Sequence, residues 1–108
     1  VSEFSIAREF RVPAAHACFS AHFPGRPLVP GALLLQWLCR EVVQQFPDYR
    51  VVAVPSMKFT QPLLPADICQ LNLRCELPLA QVRVKLLRAG ETVCHGILDL
   101  LHSQDAPL

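Results

Sequence analysis

One stretch of this chain reads as a helix, and the pattern around it reads as strands. From Gly31 to Phe46 the sequence GALLLQWLCREVVQQF runs without an internal proline between Pro30 and Pro47. That length makes about four helical turns. Pro30 suits the first turn, where its missing N–H costs nothing. The residue before Pro47 is steered away from helical angles, which closes the far end. The first half of the stretch is apolar nearly all round, the mark of a buried helix. Its one polar track is Gln36, Arg40 and Gln44 at i, i+4 spacing, with Glu41 and Gln45 beside it.

Residues 3–12 alternate Phe4, Ile6, Arg8, Phe10 and Val12 against polar or small neighbours, a strand pattern. After the helix come three or four more strands. Residues 50–60 are extended, and Pro55 forces a bulge or an edge position there. QPLLPAD makes a turn. Residues 70–77 put Leu71, Leu73, Cys75 and Leu77 on one face and Gln70, Asn72, Arg74 and Glu76 on the other. QVRVKLLR repeats the alternation, Ala89-Gly90 reads as a hairpin turn, and residues 91–102 are the most apolar strand, expected to lie most centrally. The tail SQDAPL is expected to fray. One helix with one antiparallel sheet points to an α+β layer, the sheet wrapped around the helix, in a single domain spanning 1–108.

Composition narrows the function. The chain has 108 residues, 52% of them hydrophobic and 18% charged. A monomer of this size buries only about two-thirds of its unfolded surface, so some apolar surface is expected at an oligomer interface. No apolar run reaches the roughly 18 residues of a membrane span, and no signal peptide is visible. A net charge of +1 argues against nucleic-acid binding, which needs a basic stripe. The five cysteines have no CxxC spacing and read as reduced thiols of a cytoplasmic protein. His16, Cys18 and His22 lack the second paired ligand set usual for zinc, so no metal is expected.

Between the first strand and the helix, Pro13 to Pro30 holds four prolines and a glycine, which excludes a regular element. Loops this long inside a small domain often carry function. This one contains HFPGRPLVPGALLLQ. The pattern H-F-P-G-x-P-x-x-P-G, followed by a helix with a polar residue near its second turn, resembles the β-hydroxyacyl-acyl-carrier-protein dehydratases of the FabA/FabZ type. MKFTQPLLPAD resembles a second segment of that family, with Ala66 where glycine is usual. The resemblance covers roughly residues 8 to 100.

The resemblance implies a hotdog fold, a curved antiparallel sheet around a central helix, and a homodimer or higher homo-oligomer whose sheets join edge to edge. It implies a 3-hydroxyacyl thioester substrate, on acyl carrier protein or coenzyme A, and no cofactor. By position His22 matches the histidine that removes the α-proton. Gly31 matches the glycine whose N–H polarises the thioester carbonyl, a role suited to the positive end of a helix. Phe23, Pro24, Pro27 and Pro30 match residues shaping the loop and acyl tunnel, with Leu28, Ala32 and Phe59 as further substrate-contacting positions. The family's helix acid, which protonates the departing hydroxyl, falls at Gln36.

A primary amide has no accessible proton to give. Gln36 can donate a hydrogen bond or position a water, but losing a positioned acid typically costs about 10²–10⁴-fold in rate. Glu41 is no substitute, being rotated about 140° from Gln36. Three readings therefore stand: a dehydratase with an unusual acid position, a non-catalytic acyl-thioester-binding or structural subunit, and a hotdog thioesterase. His95, mid-strand, reads as structural rather than as a second catalytic group. Arg83, Lys85 and Arg88, with Arg26 and Lys58, read either as a solvated sheet face or as a surface for an acidic carrier protein.

Overall fold

Period-two alternation sets the sheet, and the prolines set its interruptions. A computed structural model describes residues 2–16 and 28–105. The strands are β1 (Ser2–Arg11), β2 (Tyr49–Phe59), β3 (Ile68–Leu77), β4 (Gln81–Arg88) and β5 (Glu91–His102), with α1 (Gly31–Gln45) between β1 and β2. All pairings are antiparallel, in the order β1-β3-β4-β5-β2. The alternating residues meet on one face: Leu71, Leu73 and Cys75, then Val82, Val84 and Leu86, then Cys94, Leu98 and Leu100. Leu34, Leu38 and Val42 of α1 cover them. This is the hotdog arrangement, and the helix is its core. Each such side chain contributes about 1.5–3 kcal/mol on full burial.

Several expectations are corrected. The central strand is β4, not β5. The extra apolarity of β5 comes from Ile97 and Leu101, half-buried residues outside its inward-facing set. Leu77 is exposed at the end of β3, beyond the reach of the helix. The helix is buried along a single stripe: Leu33, Leu35 and Trp37 are half-buried, and Ala32 and Val43 are exposed. Pro30 stands just before the helix as its N-cap. The tail is held as far as Asp105 in a 3-10 turn, because the Ser103 N–H and hydroxyl both donate to the Asp48 carbonyl, at 2.8 and 2.9 Å.

Pro55 does lie on an edge strand, and β2 slips register between Val51 and Ala53 and again between Ala53 and Ser56. The bent strand passes close over Gly96. A Cβ there would strike the Ser56 carbonyl oxygen and come within 2.8 Å of Met57 Cα. Ala89 (φ 51°) and Gly90 (φ 82°) make the hairpin, two left-handed residues matching the twist of the flanking strands.

The QPLLPAD turn is built on Asp67. Its carboxylate accepts from the Leu64 N–H at 2.8 Å and from Arg88 at 2.7 Å, and its carbonyl accepts from the Val12 N–H at 2.8 Å. Arg88 is thus committed to this turn rather than to the basic strand face. Ala66 has φ 66°, the left-handed region where a Cβ is unfavourable. Glycine, usual at this place in the resembling family, removes that strain. Ala66→Gly is accordingly expected to stabilise the protein by about 0.5–1 kcal/mol, the strain relieved less the added unfolded-state entropy, measured by urea unfolding.

Four cysteines fall among the described residues. Cys69, Cys75 and Cys94 are buried and Cys39 is half-buried. Burial pushes all four thiols up, Cys94 to about 11 with a further contribution from Cys69. They serve as small hydrophobes.

Candidate active site

Gly31 opens α1, and among the described residues no side chain caps the helix start. Pro30 is extended (φ −61°, ψ 140°) and gives no side-chain cap, and no acidic residue stands in the first turn. Its carbonyl accepts the first helical bond from the Leu34 N–H at 3.0 Å. The N–H groups of Gly31, Ala32 and Leu33 have no acceptor within the helix. Together with the helix dipole they favour negative charge at this end.

The Phe59 ring lies against the helix start at Gly31. An added Cβ would meet that ring at 3.4 Å. The segment after Phe59 is fixed from two sides. Thr60 and Gln61 N–H groups donate to the Val93 carbonyl at 2.8 and 3.2 Å, and the Thr60 hydroxyl donates to the Thr92 carbonyl at 2.7 Å. On the other side the Val29 N–H donates to the Leu63 carbonyl at 2.9 Å. A cleft of about 320 Å³ results, lined by Val29, Gly31, Leu34, Phe59, Thr60, Gln61, Pro62 and Leu63.

Of the residues expected at the site, the cleft joins Gly31 and Phe59, which are remote in sequence. Pro30 and Leu28 lead into it and are half-buried. His22, Phe23 and Pro24 lie outside the described residues, as do Cys18 and Pro27. Ala32 and Gln36 are exposed. Gln36 stands two residues from Leu34 and two from Leu38, about 200° around the helix from either, so it points away from the sheet. Thr60, Gln61 and Leu63 were not anticipated. Their signal was their position directly after Phe59 in the second motif. Trp37 braces the loop's first part, its ring 6.3 Å from that of Phe10 and 5.6 Å from that of His16.

Comparison with known proteins agrees with this fold. A family model described as ApeI-like, ApeI dehydratase, matches residues 1–97. The dehydratase heterocomplex ApeI:P from Xenorhabdus doucetiae superimposes with a TM-score of 0.76 at 18% identity, covering 94% of this chain and 96% of that one. An uncharacterised protein from Erwinia carotovora subsp. atroseptica gives 0.77 at 21% identity, covering 94% and 86%. The (R)-hydratase from A. caviae involved in PHA biosynthesis gives 0.70 at 20% identity, covering 90% and 92%.

Proposed function

The chain belongs to the ApeI-like dehydratase family, and on that premise we propose that it acts on 3-hydroxyacyl thioesters, removing water to give the trans-2-enoyl product. The helix start beside Phe59, uncapped by any described side chain, carries this reading. In it the thioester oxygen takes the N–H of Gly31, which stabilises negative charge as the α-proton leaves. His22, nine residues upstream of Gly31 in the loop, accepts that proton as general base. Gln36 takes the place of the acid and holds the departing hydroxyl by a hydrogen bond, while that oxygen, leaving with the C–O bonding pair, takes its proton from the His22 imidazolium or from solvent. The elimination involves no net oxidation or reduction, so the chemistry calls for no cofactor.

Gln36 reaches such a substrate only if something covers the outer side of α1, and we propose a second copy of the chain. β2 is a sheet edge, with unpaired backbone groups along its outer side and exposed Val52 (50%) and Val54 (39%). Such an edge is a template for pairing with another strand. The dimer joins the two sheets there and buries the half-exposed apolar flanks of the helices. The substrate arrives on an acyl carrier protein or coenzyme A, in fatty acid or related acyl assembly in the cytoplasm. No helix among the described residues is long and apolar enough to cross a membrane.

The test is a thioester assay on the purified protein, following formation of the conjugated enoyl product. Slow dehydration above the uncatalysed rate is expected. Release of free thiol would make it a thioesterase instead, and saturable binding with no turnover would make it a binding subunit.

A further inference from the structure

The sheet face turned away from α1 carries charges that work against the fold. Across the register, Asn72, Lys85, His95 and Lys58 stand opposite one another on β3, β4, β5 and β2. In the next row Arg74 stands opposite Arg83. Like charges directly opposite destabilise a sheet. Arg74 is relieved by Glu3 at 3.3 Å. Arg83, Lys85 and Lys58 take no ion pair among the described residues. Among the acids of the neighbouring segments, Asp67 holds Arg88, Asp99 accepts from Gln81 at 2.7 Å, and Glu76 stands opposite Glu3, the partner of Arg74.

This face is hollow. Small Ser5 and Ala7 on β1 leave a depression of about 760 Å³, walled by Arg74, Arg83, Lys85 and His95. That falls within the range of small-molecule sites, about 300–1,000 Å³. Thr60 borders both this depression and the cleft at the helix start, so the two adjoin at one fixed residue.

We propose that the depression binds the phosphates of a nucleotide at the far end of the substrate's thiol arm, as on a coenzyme A thioester. Arg83 and Lys85 are the principal phosphate ligands, with His95 beside them. The inference rests on the thioester reading of the cleft. Arg74, Arg83, Lys85 and His95, on three neighbouring strands and two rows, span roughly 10 by 7 Å, wider than a single phosphodiester. The Arg83 fork suits a phosphate bidentately, and Lys85 serves as a point charge. A concave site favours a nucleotide over the surface of an acidic protein.

The full chain is titrated with adenosine 3′,5′-bisphosphate by calorimetry. In parallel, kinetics are measured on matched 3-hydroxyacyl thioesters of coenzyme A, of pantetheine and of a carrier protein. The double variant Arg83→Ala/Lys85→Ala is expected to bind the bisphosphate about tenfold more weakly or worse, and to raise KM for the coenzyme A thioester similarly with kcat held within about twofold. The pantetheine thioester is unaffected. Thermal unfolding of the variant should hold or rise, because it removes opposed charges. Unchanged bisphosphate binding in the variant, or none in the native chain, overturns the proposal. A defect confined to the carrier-protein substrate overturns it in favour of protein docking. If the native chain turns over no thioester while bisphosphate binding and its loss persist, the thioester reading fails and the anion site stands.

Discussion

Gln36→Glu is expected to raise the dehydration rate about 10²–10⁴-fold, the usual worth of a positioned general acid. The substitution adds an ionisable proton at the position proposed to face the hydroxyl and changes little in volume. Gln36 is exposed in the single chain, so the exchange does not strain the core. The gain should bring a new pH dependence. The glutamic acid works only while protonated, so kcat falls as pH rises through its pKa, a limb the native protein lacks. Adding His22→Ala should return the rate to background, since base and acid act on the same substrate. A Gln36→Glu protein that is folded and dimeric but gains no rate would show that this position does not meet the hydroxyl. It would favour the binding-subunit reading.

Gly96→Ala is expected to be the most damaging single methyl in the described sheet. The added carbon meets the Ser56 carbonyl and Met57 Cα, both main chain, so no rotamer change relieves it. The two strands must part just beyond the register shift between Ala53 and Ser56. Overpacking against backbone costs about 3 kcal/mol or more, a drop in Tm on the order of 15 °C for a domain this small. Gly90→Ala is the control. Nothing lies within 4 Å of a Cβ there, so only its positive φ matters, at about 1 kcal/mol. Equal Tm values for the two variants would refute the close passage of β2 over Gly96.

The local elements were legible because each is written in neighbouring residues. Leu71, Leu73 and Cys75 give β3 its face, Ala89-Gly90 gives the hairpin, and Pro30 and Pro47 bracket α1. What joins distant residues was not. The apolarity of β5 suggested the sheet's centre, but burial along a strand does not record which strands flank it, and β4 holds that place. The tail was expected to fray because its bonds run to Asp48, far back in the chain. The site divides the same way. Gly31 and Phe59 came from motifs, and they line one cleft. The clamp of Thr60 on Thr92 and Val93 follows from strand pairing that no motif encodes. All-round apolarity in the first half of α1 suggested complete burial. The described residues bury only the Leu34–Leu38–Val42 stripe.

The sheet order has a consequence for how the molecule assembles. β3, β4 and β5 follow one another in sequence and in space, so they can zip together through short loops. β1 and β2 occupy opposite edges, and the segment between them, with its loop and helix, must cross the full width of the sheet. Such non-local closure is slow and comes late. Gly31 and Phe59 therefore belong to the strap that docks last. Changes there should speed unfolding more than they slow folding, which lets the site vary while the three-stranded meander keeps the chain foldable.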